Sequence, residues 1–437
     1  MSRLPPTRRA ILAGAGSAVT ASLAGCALTG DEGSGGDGVD EEFILTFHHP
    51  ETVRSDEPFD MTIEGLPANT EVDVVVESAD AEGTIFDGRA TIRTDDGTVT
   101  LSEATVVSDR TDALSGTVPE GVEVPLTVAL VQFAEQSLHF YTPPRESTPT
   151  YRVETDEGVL GETKLTRRFP DVSAGIELDH PDLVGWVYEP VDSQSGPGVL
   201  LLHGSGGSPM RTTAALLAEH GYTAVALQYF DAPPLSEALS EVPLAYIETA
   251  AEFLRTFETV GSEQIGLYGG SRGGELALLA ASTFDGFGPV VSVAGSGVVF
   301  EGSDNGLPTN TSTWTHDGEP VPYIPFRGVD SLEMADEADL QRATIPVEGI
   351  DDRVLLLSGA DDTLWPSAAL QQIAADRLAE HGHSEFEHVV YEQTGHYFIE
   401  PYVPIMGATE HGGELAGCAI ASHDHWPKVL ETLSSLK

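Results

Sequence analysis

Gly269-Gly270-Ser271-Arg272-Gly273 is the segment of this chain with the clearest chemistry. It follows an apolar run at 265–268 and precedes a helical stretch at 275–281, which is the setting of a sharp strand–turn–helix corner that lifts a serine hydroxyl above a sheet end. Only glycine fits around so tight a turn, which makes Gly269 and Gly273 the elbow glycines. A serine hydroxyl needs a base to become a nucleophile. Of the 14 histidines, His396 in Thr394-Gly395-His396 follows the strand pattern at 389–391, where the chain order Ser…Asp…His places the base. The acid that orients it should follow the preceding strand, and 354–357 runs into Ser358-Gly359-Ala360-Asp361-Asp362, which offers two adjacent carboxylates.

The competing residues have plainer readings. Gly295-Ser296-Gly297 is a second serine after a strand, but no helix follows it, so it reads as loop. His203 precedes a glycine loop, while His381, His383 and His388 sit at or near a helix end; all four read as structural. His423 and His425 flank Asp424, and their i, i+2 spacing splits them across a helix. No metal site is expected, and no cofactor.

The tetrahedral intermediate of acyl transfer needs two backbone donors for its oxyanion. The residue after the nucleophile, Arg272, supplies one, and the loop after the first core strand supplies the other. His203-Gly204-Ser205-Gly206-Gly207 is that loop, with Ser205 or its immediate neighbour as donor. Phosphate cradling would use a similar loop, but neither a Lys nor the Walker spacing follows it.

These residues must be held by a parallel sheet. From about residue 158, apolar strand patterns at 198–202, 223–227, 265–268, 290–294, 354–357 and 389–391 alternate with helical patterns at 212–220 and 244–257, the pattern of an α/β fold. Residues 295–353 break that rhythm and read as a lid-like insertion walling the pocket. Residues 43–157 are different: short alternating runs such as 44–47, 59–63, 72–76 and 124–133 predict an all-β, immunoglobulin-like sandwich. Asp95-Asp96-Gly97 between 91–94 and 98–101 predicts a hairpin there. The hydrolase half is then 158–437.

The first 26 residues carry Arg3, Arg8 and Arg9, no acid, and an apolar run over 10–25 that is short for a spanning helix. Thr7-Arg8-Arg9-Ala10-Ile11-Leu12 resembles a twin-arginine export signal, and Leu23-Ala24-Gly25-Cys26 resembles a lipobox in which Cys26 takes the lipid. Residues 27–42 form an acidic, Gly-rich tether. A cell-surface protein held to the membrane by a lipid anchor is expected. Asn310-Thr311-Ser312 is a glycosylation sequon, with Asn310 the candidate acceptor.

Composition narrows the rest. Lys+Arg number 21 against 70 Asp+Glu, a formal charge of −49, and only Lys164, Lys428 and Lys437 are lysines. That charge excludes a protein that tracks nucleic-acid phosphates. An acid-rich, lysine-poor surface repels itself in dilute buffer, and molar salt screens it within about 3 Å, so the surface reads as halophilic. The 40% of hydrophobic residues excludes wholesale disorder. Two cysteines, Cys26 and Cys418, give no disulfide framework.

Taken together, the motifs resemble the acyl-CoA thioesterases and bile acid–CoA:amino acid N-acyltransferases, over roughly 43–437. Ser271-Arg272-Gly273-Gly274-Glu275-Leu276 is similar to the family's Ser-Lys-Gly-Gly-Glu-Leu elbow, and Ile345-Pro346-Val347-Glu348 to its approach to the acid strand. Asp361-Asp362 with Trp365 resembles its Asp-Asp-x-x-Trp segment, in which the second Asp is the triad member; that implies Asp362. Gly395-His396-Tyr397-Phe398-Ile399-Glu400-Pro401-Tyr402 is similar to its histidine stretch, and Gly412-Gly413-Glu414 with Trp426 to its last helix. The resemblance implies an N-terminal β-sandwich, an α/β-hydrolase domain related to dienelactone hydrolase, and a small-molecule acyl ester or thioester as substrate. Arg272 replaces the family's Lys. The family's transferases carry Cys at the nucleophile, and Ser271 therefore favours hydrolysis over acyl transfer to an amine. An export signal sits awkwardly with coenzyme A, an intracellular compound, which leaves an exported carboxylesterase of dienelactone-hydrolase type as the alternative. A non-catalytic surface binding protein is the remaining one, although no triad member is missing.

Overall fold

The computed structural model describes residues 18–20, 43–109, 141–190 and 195–436. Cys26, the expected lipidation site, the expected tether at 27–42 and the strand expected at 124–133 lie outside the described residues.

The first module is all β. Thr70–Ala79 and Ile85–Thr94 pair antiparallel at the centre of a five-stranded sheet with Thr105–Asp109, Thr150–Thr155 and Gly158–Lys164. Along Ile85–Thr94 every second residue is buried, as the two-residue period of a strand with one face on a core requires. That face meets a second sheet containing Thr46–His48, Thr62–Glu64 and Thr98–Thr100, and Phe47, Ile63, Val74, Ile92 and Tyr151 share one apolar core.

Two expectations need correction here. Asp95-Asp96-Gly97 does turn the chain, with Gly97 at φ +88°. It does not close a hairpin, because Thr98–Thr100 pairs with Thr62–Glu64 in the other sheet. Both flanking runs alternate, and alternation alone does not say which sheet a strand joins. The boundary expected after residue 157 also falls inside a hairpin, since Gly158–Lys164 pairs with Thr150–Thr155, and Thr166–Arg168 still pairs with Thr52–Arg54. Asp156-Glu157 is the tip of that hairpin rather than a linker, so the β module extends about ten residues further than its composition suggests.

The second module is built on one eight-stranded sheet. Its strands are β1 (Ile176–Glu177), β2 (Val184–Tyr188), β3 (Gly196–Leu202), β4 (Thr223–Gln228), β5 (Val260–Gly270), β6 (Phe287–Val293), β7 (Val354–Gly359) and β8 (Phe386–Tyr391). The order across the sheet is β1-β2-β4-β3-β5-β6-β7-β8. β2 runs antiparallel to β4, and β3 to β8 are all parallel. Strands buried on both faces read as unbroken apolar runs, as Val199-Leu200-Leu201-Leu202 does. Leu200 and Leu202 face a core formed with α2 (Leu244–Leu254), α3 (Arg272–Thr283) and α5 (Ser367–Glu380). Val199 and Leu201 face the opposite core, with α1 (Arg211–Glu219) and α6 (Leu415–Leu433). β1 and β2 were not visible in the sequence pattern, because the edge pair is short and half exposed.

The insertion at 295–353 has structure of its own: the hairpin Glu301–Asp304/Leu307–Ser312, the strands Trp314–His316 and Glu319–Pro320, and α4 (Glu337–Ala343). Trp314 is fully buried and so serves as core, whereas Phe326 is 40% exposed. Among the described residues no helix is long and apolar enough to cross a membrane.

The two modules meet through buried polar contacts. Arg167 donates to the carbonyl of Tyr402, and to that of Ser55 at 2.7 Å. Asp56 accepts from Trp426 Nε1 at 2.9 Å and contacts His220 Nε2 at 2.5 Å. Burial acts to raise the Asp56 carboxyl, but the partners His220, Arg54 and Trp426 outweigh it and hold it below its ordinary value.

Candidate active site

Ser271 stands between β5 and α3 with φ +55° and ψ −120°, a conformation that costs a non-glycine residue free energy and persists only where the surroundings impose it. Its N–H donates to Val293 O at 2.8 Å and its carbonyl accepts from Gly274 N at 2.9 Å, so both sides of the turn are tied down. The glycines are required by close approach: a Cβ on Gly273 would lie 1.9 Å from Leu202 O, and one on Gly269 2.0 Å from Gly273 O. At Gly204 a Cβ would stand 3.1 Å from Ser271 Cβ, which puts the His203–Gly207 loop directly against the serine.

His396 and Asp362 come together from the turns after β8 and β7. His396 Nδ1 lies 2.8 Å from Asp362 Oδ2, and both side chains are buried. The other carboxylate oxygen, Oδ1, accepts from the N–H groups of Leu364 and Trp365 at 3.0 and 3.3 Å. Trp365 packs edge-on to the imidazole, with 6.2 Å between ring centroids. Asp361 is exposed; its N–H bonds Thr394 O at 3.0 Å, and its side chain takes no part in this pair. The two adjacent acids therefore have different positions.

Ser271 lies where two hollows meet. The larger, about 390 Å³, is lined by Arg272, Leu364 and Trp365 and by Glu301, Pro308 and Phe326 of the insertion. The smaller, about 290 Å³, is lined by Gly204, Met210, Tyr268, His396, Tyr397 and Phe398. Ser205 borders both. Arg272, at the first position of α3, has a backbone N–H with no intrahelical acceptor, as the first turn of any helix does. Its guanidinium is buried, bonded to Glu275 Oε2 at 2.7 Å, to Thr313 Oγ1 at 2.8 Å and to Glu301 O. Glu275 Oε1 in turn accepts from Trp314 Nε1 at 2.6 Å. Burial pushes the Glu275 carboxyl upward against the pull of Arg272. This network fastens the insertion to the helix that begins at Ser271.

The remaining sequence candidates fall elsewhere. Ser296 is fully buried, its hydroxyl donating to Val298 O at 2.7 Å, so it is a turn serine. His203 is buried against Tyr229, ring on ring at 4.2 Å, and burial lowers it to about 4. His388, on β8, contacts Ser358 Oγ of β7 at 3.0 Å. His425 is enclosed in α6 with Nδ1 2.7 Å from Ala421 O. Among the described residues no cluster of His, Cys, Asp and Glu could hold a metal ion. Asn310 is exposed on the insertion hairpin, whereas Ser312, the last residue of the sequon, is fully buried. Gln228, Tyr229, Thr313 and Arg327 surround the site without having been singled out in the sequence. Of these, only the position of Gln228 and Tyr229 at the end of a core strand could have drawn notice.

A mostly parallel sheet of this order, with a serine on a positive-φ turn after β5 and an Asp–His pair after β7 and β8, defines an α/β hydrolase. Residues 242–435 match the family described as BAAT / Acyl-CoA thioester hydrolase C terminal. The chain is 30% identical over 407 residues to acyl-coenzyme A thioesterase 2, mitochondrial, of Homo sapiens, covering 86% of this chain and 80% of that protein. It is 29% identical over 404 residues to acyl-coenzyme A thioesterase 1 of Homo sapiens, covering 86% and 92%. Among solved structures, the Pyrococcus horikoshii acylaminoacyl peptidase aligns with 90% of this chain and 62% of its own, at a TM-score of 0.40 and 15% identity. The chain belongs to the acyl-CoA thioesterase and bile acid–CoA:amino acid N-acyltransferase family of α/β hydrolases, and it is a hydrolase.

Proposed function

We propose that this protein hydrolyses acyl thioesters, of the kind its thioesterase relatives are named for, or the corresponding esters, through Ser271, His396 and Asp362. The observation that carries the reading is the buried 2.8 Å contact between His396 Nδ1 and Asp362 beside a serine held at φ +55°. With Asp362 accepting from Nδ1–H, the lone pair of the imidazole is left on Nε2, and that is the atom that takes the serine proton. Ser271 Oγ adds to the acyl carbon and its proton passes to His396. The carbonyl oxygen becomes an oxyanion held by the backbone N–H groups of Arg272 and Ser205. Collapse breaks the C–S or C–O bond while His396 returns its proton to the departing thiolate or alkoxide. Water then repeats the addition on the acyl-enzyme, releasing the acid and restoring Ser271.

His396 borders the smaller hollow and not the larger, so the leaving group, which needs its proton, belongs in the smaller one and the acyl chain in the other. A serine ester resists aminolysis more than a thioester does, which favours hydrolysis over transfer. The experiment is intact mass after a fluorophosphonate probe, in molar salt, with turnover of acyl-CoA and p-nitrophenyl esters beside it. One adduct on Ser271 is expected, and Ser271→Ala should stay folded with neither adduct nor turnover; retained turnover would sink the reading. Export and lipid anchoring through Cys26 belong to the same proposal, supported by Arg8-Arg9 and Leu23-Ala24-Gly25-Cys26. They favour an ester as the natural substrate outside the cell.

A further inference from the structure

The loop that borders Ser271 is held at three of its carbonyls. Tyr229 Oη donates to His203 O. Gly204 O lies 2.8 Å from His203 Nδ1 and accepts the Gly207 N–H at 3.3 Å. Gly207 O accepts from Gln228 Nε2 at 2.7 Å, and the same amide donates to Phe230 O. Gln228 and Tyr229 are adjacent, both buried, and stand at the end of β4. Burial pushes the Tyr229 phenol far above its ordinary range, so its hydroxyl remains a donor at any working pH.

These bonds have a directional consequence. The contact from Gly207 N to Gly204 O makes residues 204–207 a turn with Ser205 in its second position. A trans peptide is planar, so the N–H of Ser205 points opposite to the carbonyl of Gly204. Holding that carbonyl toward His203 and Gly207 turns the Ser205 N–H away from them, and Ser205 borders both hollows that meet at Ser271. The direction of this N–H is then set by where the loop's two ends are fixed, at His203 O and Gly207 O.

We propose that Tyr229 and Gln228 are positioning residues for the oxyanion hole, clamping the two ends of the 203–207 loop so that the Ser205 N–H is aimed before substrate arrives. This rests on the serine-hydrolase reading given above. Preorganised donors matter because a donor that must rotate into place gives back part of the stabilisation it offers the transition state. Neither side chain touches the reacting atoms; they act through the backbone of the loop.

The test uses the full chain in molar salt and three substitutions. Tyr229→Phe keeps the ring stacked on His203 and removes only the bond to His203 O. It should lower kcat for p-nitrophenyl butyrate about 10-fold or more, as partial loss of one oxyanion donor does, with KM within about twofold. The affinity for a trifluoromethyl ketone, whose serine adduct places an oxyanion in the same hole, should fall by a similar factor. Gln228→Met leaves the His203 bond intact and should give the same paired loss, so the test survives if Tyr229→Phe folds poorly. An unchanged kcat in both variants, or a kcat loss with unchanged ketone affinity, overturns the clamp. Ser271→Ala separates the two levels: if it abolishes turnover and ketone binding while the clamp variants behave as wild type, only the clamp fails. If Ser271→Ala keeps its turnover, the reading beneath the clamp fails.

Discussion

His425 gives a test of the packing that owes nothing to catalysis. The side chain is 2% exposed within α6, with Phe398 and Trp426 around its ring. Burial lowers it from 6.5 to about 4, even though the carbonyls of Ala421 and Ser422 and the carboxylate of Asp424 favour the cation. The folded state then binds its proton less readily than the unfolded chain, so stability rises with pH across this window. The contribution is complete above about pH 6.5 and falls away as the pH drops toward 4; by linkage the stability lost is roughly 2 kcal/mol already at pH 5 and roughly 3 kcal/mol below pH 4. His425→Met removes the titration while keeping an apolar side chain of similar reach. Urea unfolding followed by tryptophan fluorescence, in one fixed molar salt concentration, should show wild type losing about 2 kcal/mol more than the variant between pH 7.5 and pH 5. The many carboxylates titrate alike in both proteins and cancel from the difference. Equal pH slopes for the two would mean that His425 is solvated, and that the core between α6 and the histidine-bearing loop is not packed as described.

The two adjacent acids invite a paired comparison. Asp362→Asn should lower kcat by about 10³- to 10⁴-fold with the fold retained, because an amide no longer fixes the imidazole tautomer, whereas Asp361→Asn should stay within about threefold of wild type; losses of equal size would place the orienting acid elsewhere. Cys26→Ala in the full chain, expressed in its exporting host, should move the protein from the membrane pellet to the soluble fraction with hydrolysis intact, and unchanged pelleting would remove Cys26 as the anchor.

The serine elbow and the turns that carry Asp362 and His396 were legible in the sequence because each depends on a local rule. A tight strand-to-helix turn admits glycine and little else, so Gly269, Ser271 and Gly273 stand out in the sequence itself. Buried parallel strands read as apolar runs, and a loop rich in glycine, 203–207, follows the first of them. Position after the strand could not choose between Asp361 and Asp362, and the resemblance to the Asp-Asp-x-x-Trp segment pointed to Asp362; in the fold that carboxylate is buried against His396 while Asp361 is exposed. The short edge strands β1 and β2, the true end of the β module and the sheet joined by Thr98–Thr100 were beyond residue pattern, because pairing partners are chosen by contacts distant in sequence.

Fold class, the serine elbow and the order of the residues that follow it are consequences of backbone sterics and burial along a few consecutive residues, and are therefore legible in the chain itself. Contacts between elements show Asp362, the acid implied by the Asp-Asp-x-x-Trp resemblance, meeting the imidazole, and they alone show how the insertion is fastened through Glu275 and Trp314. Such contacts alone place Gln228 and Tyr229 on the carbonyls of the 203–207 loop, and Arg167 of the β module on the carbonyl of Tyr402 beyond His396. Each of these joins groups from separate elements, and a hydrogen bond between two side chains or a side chain and a remote carbonyl leaves no periodic trace in either segment.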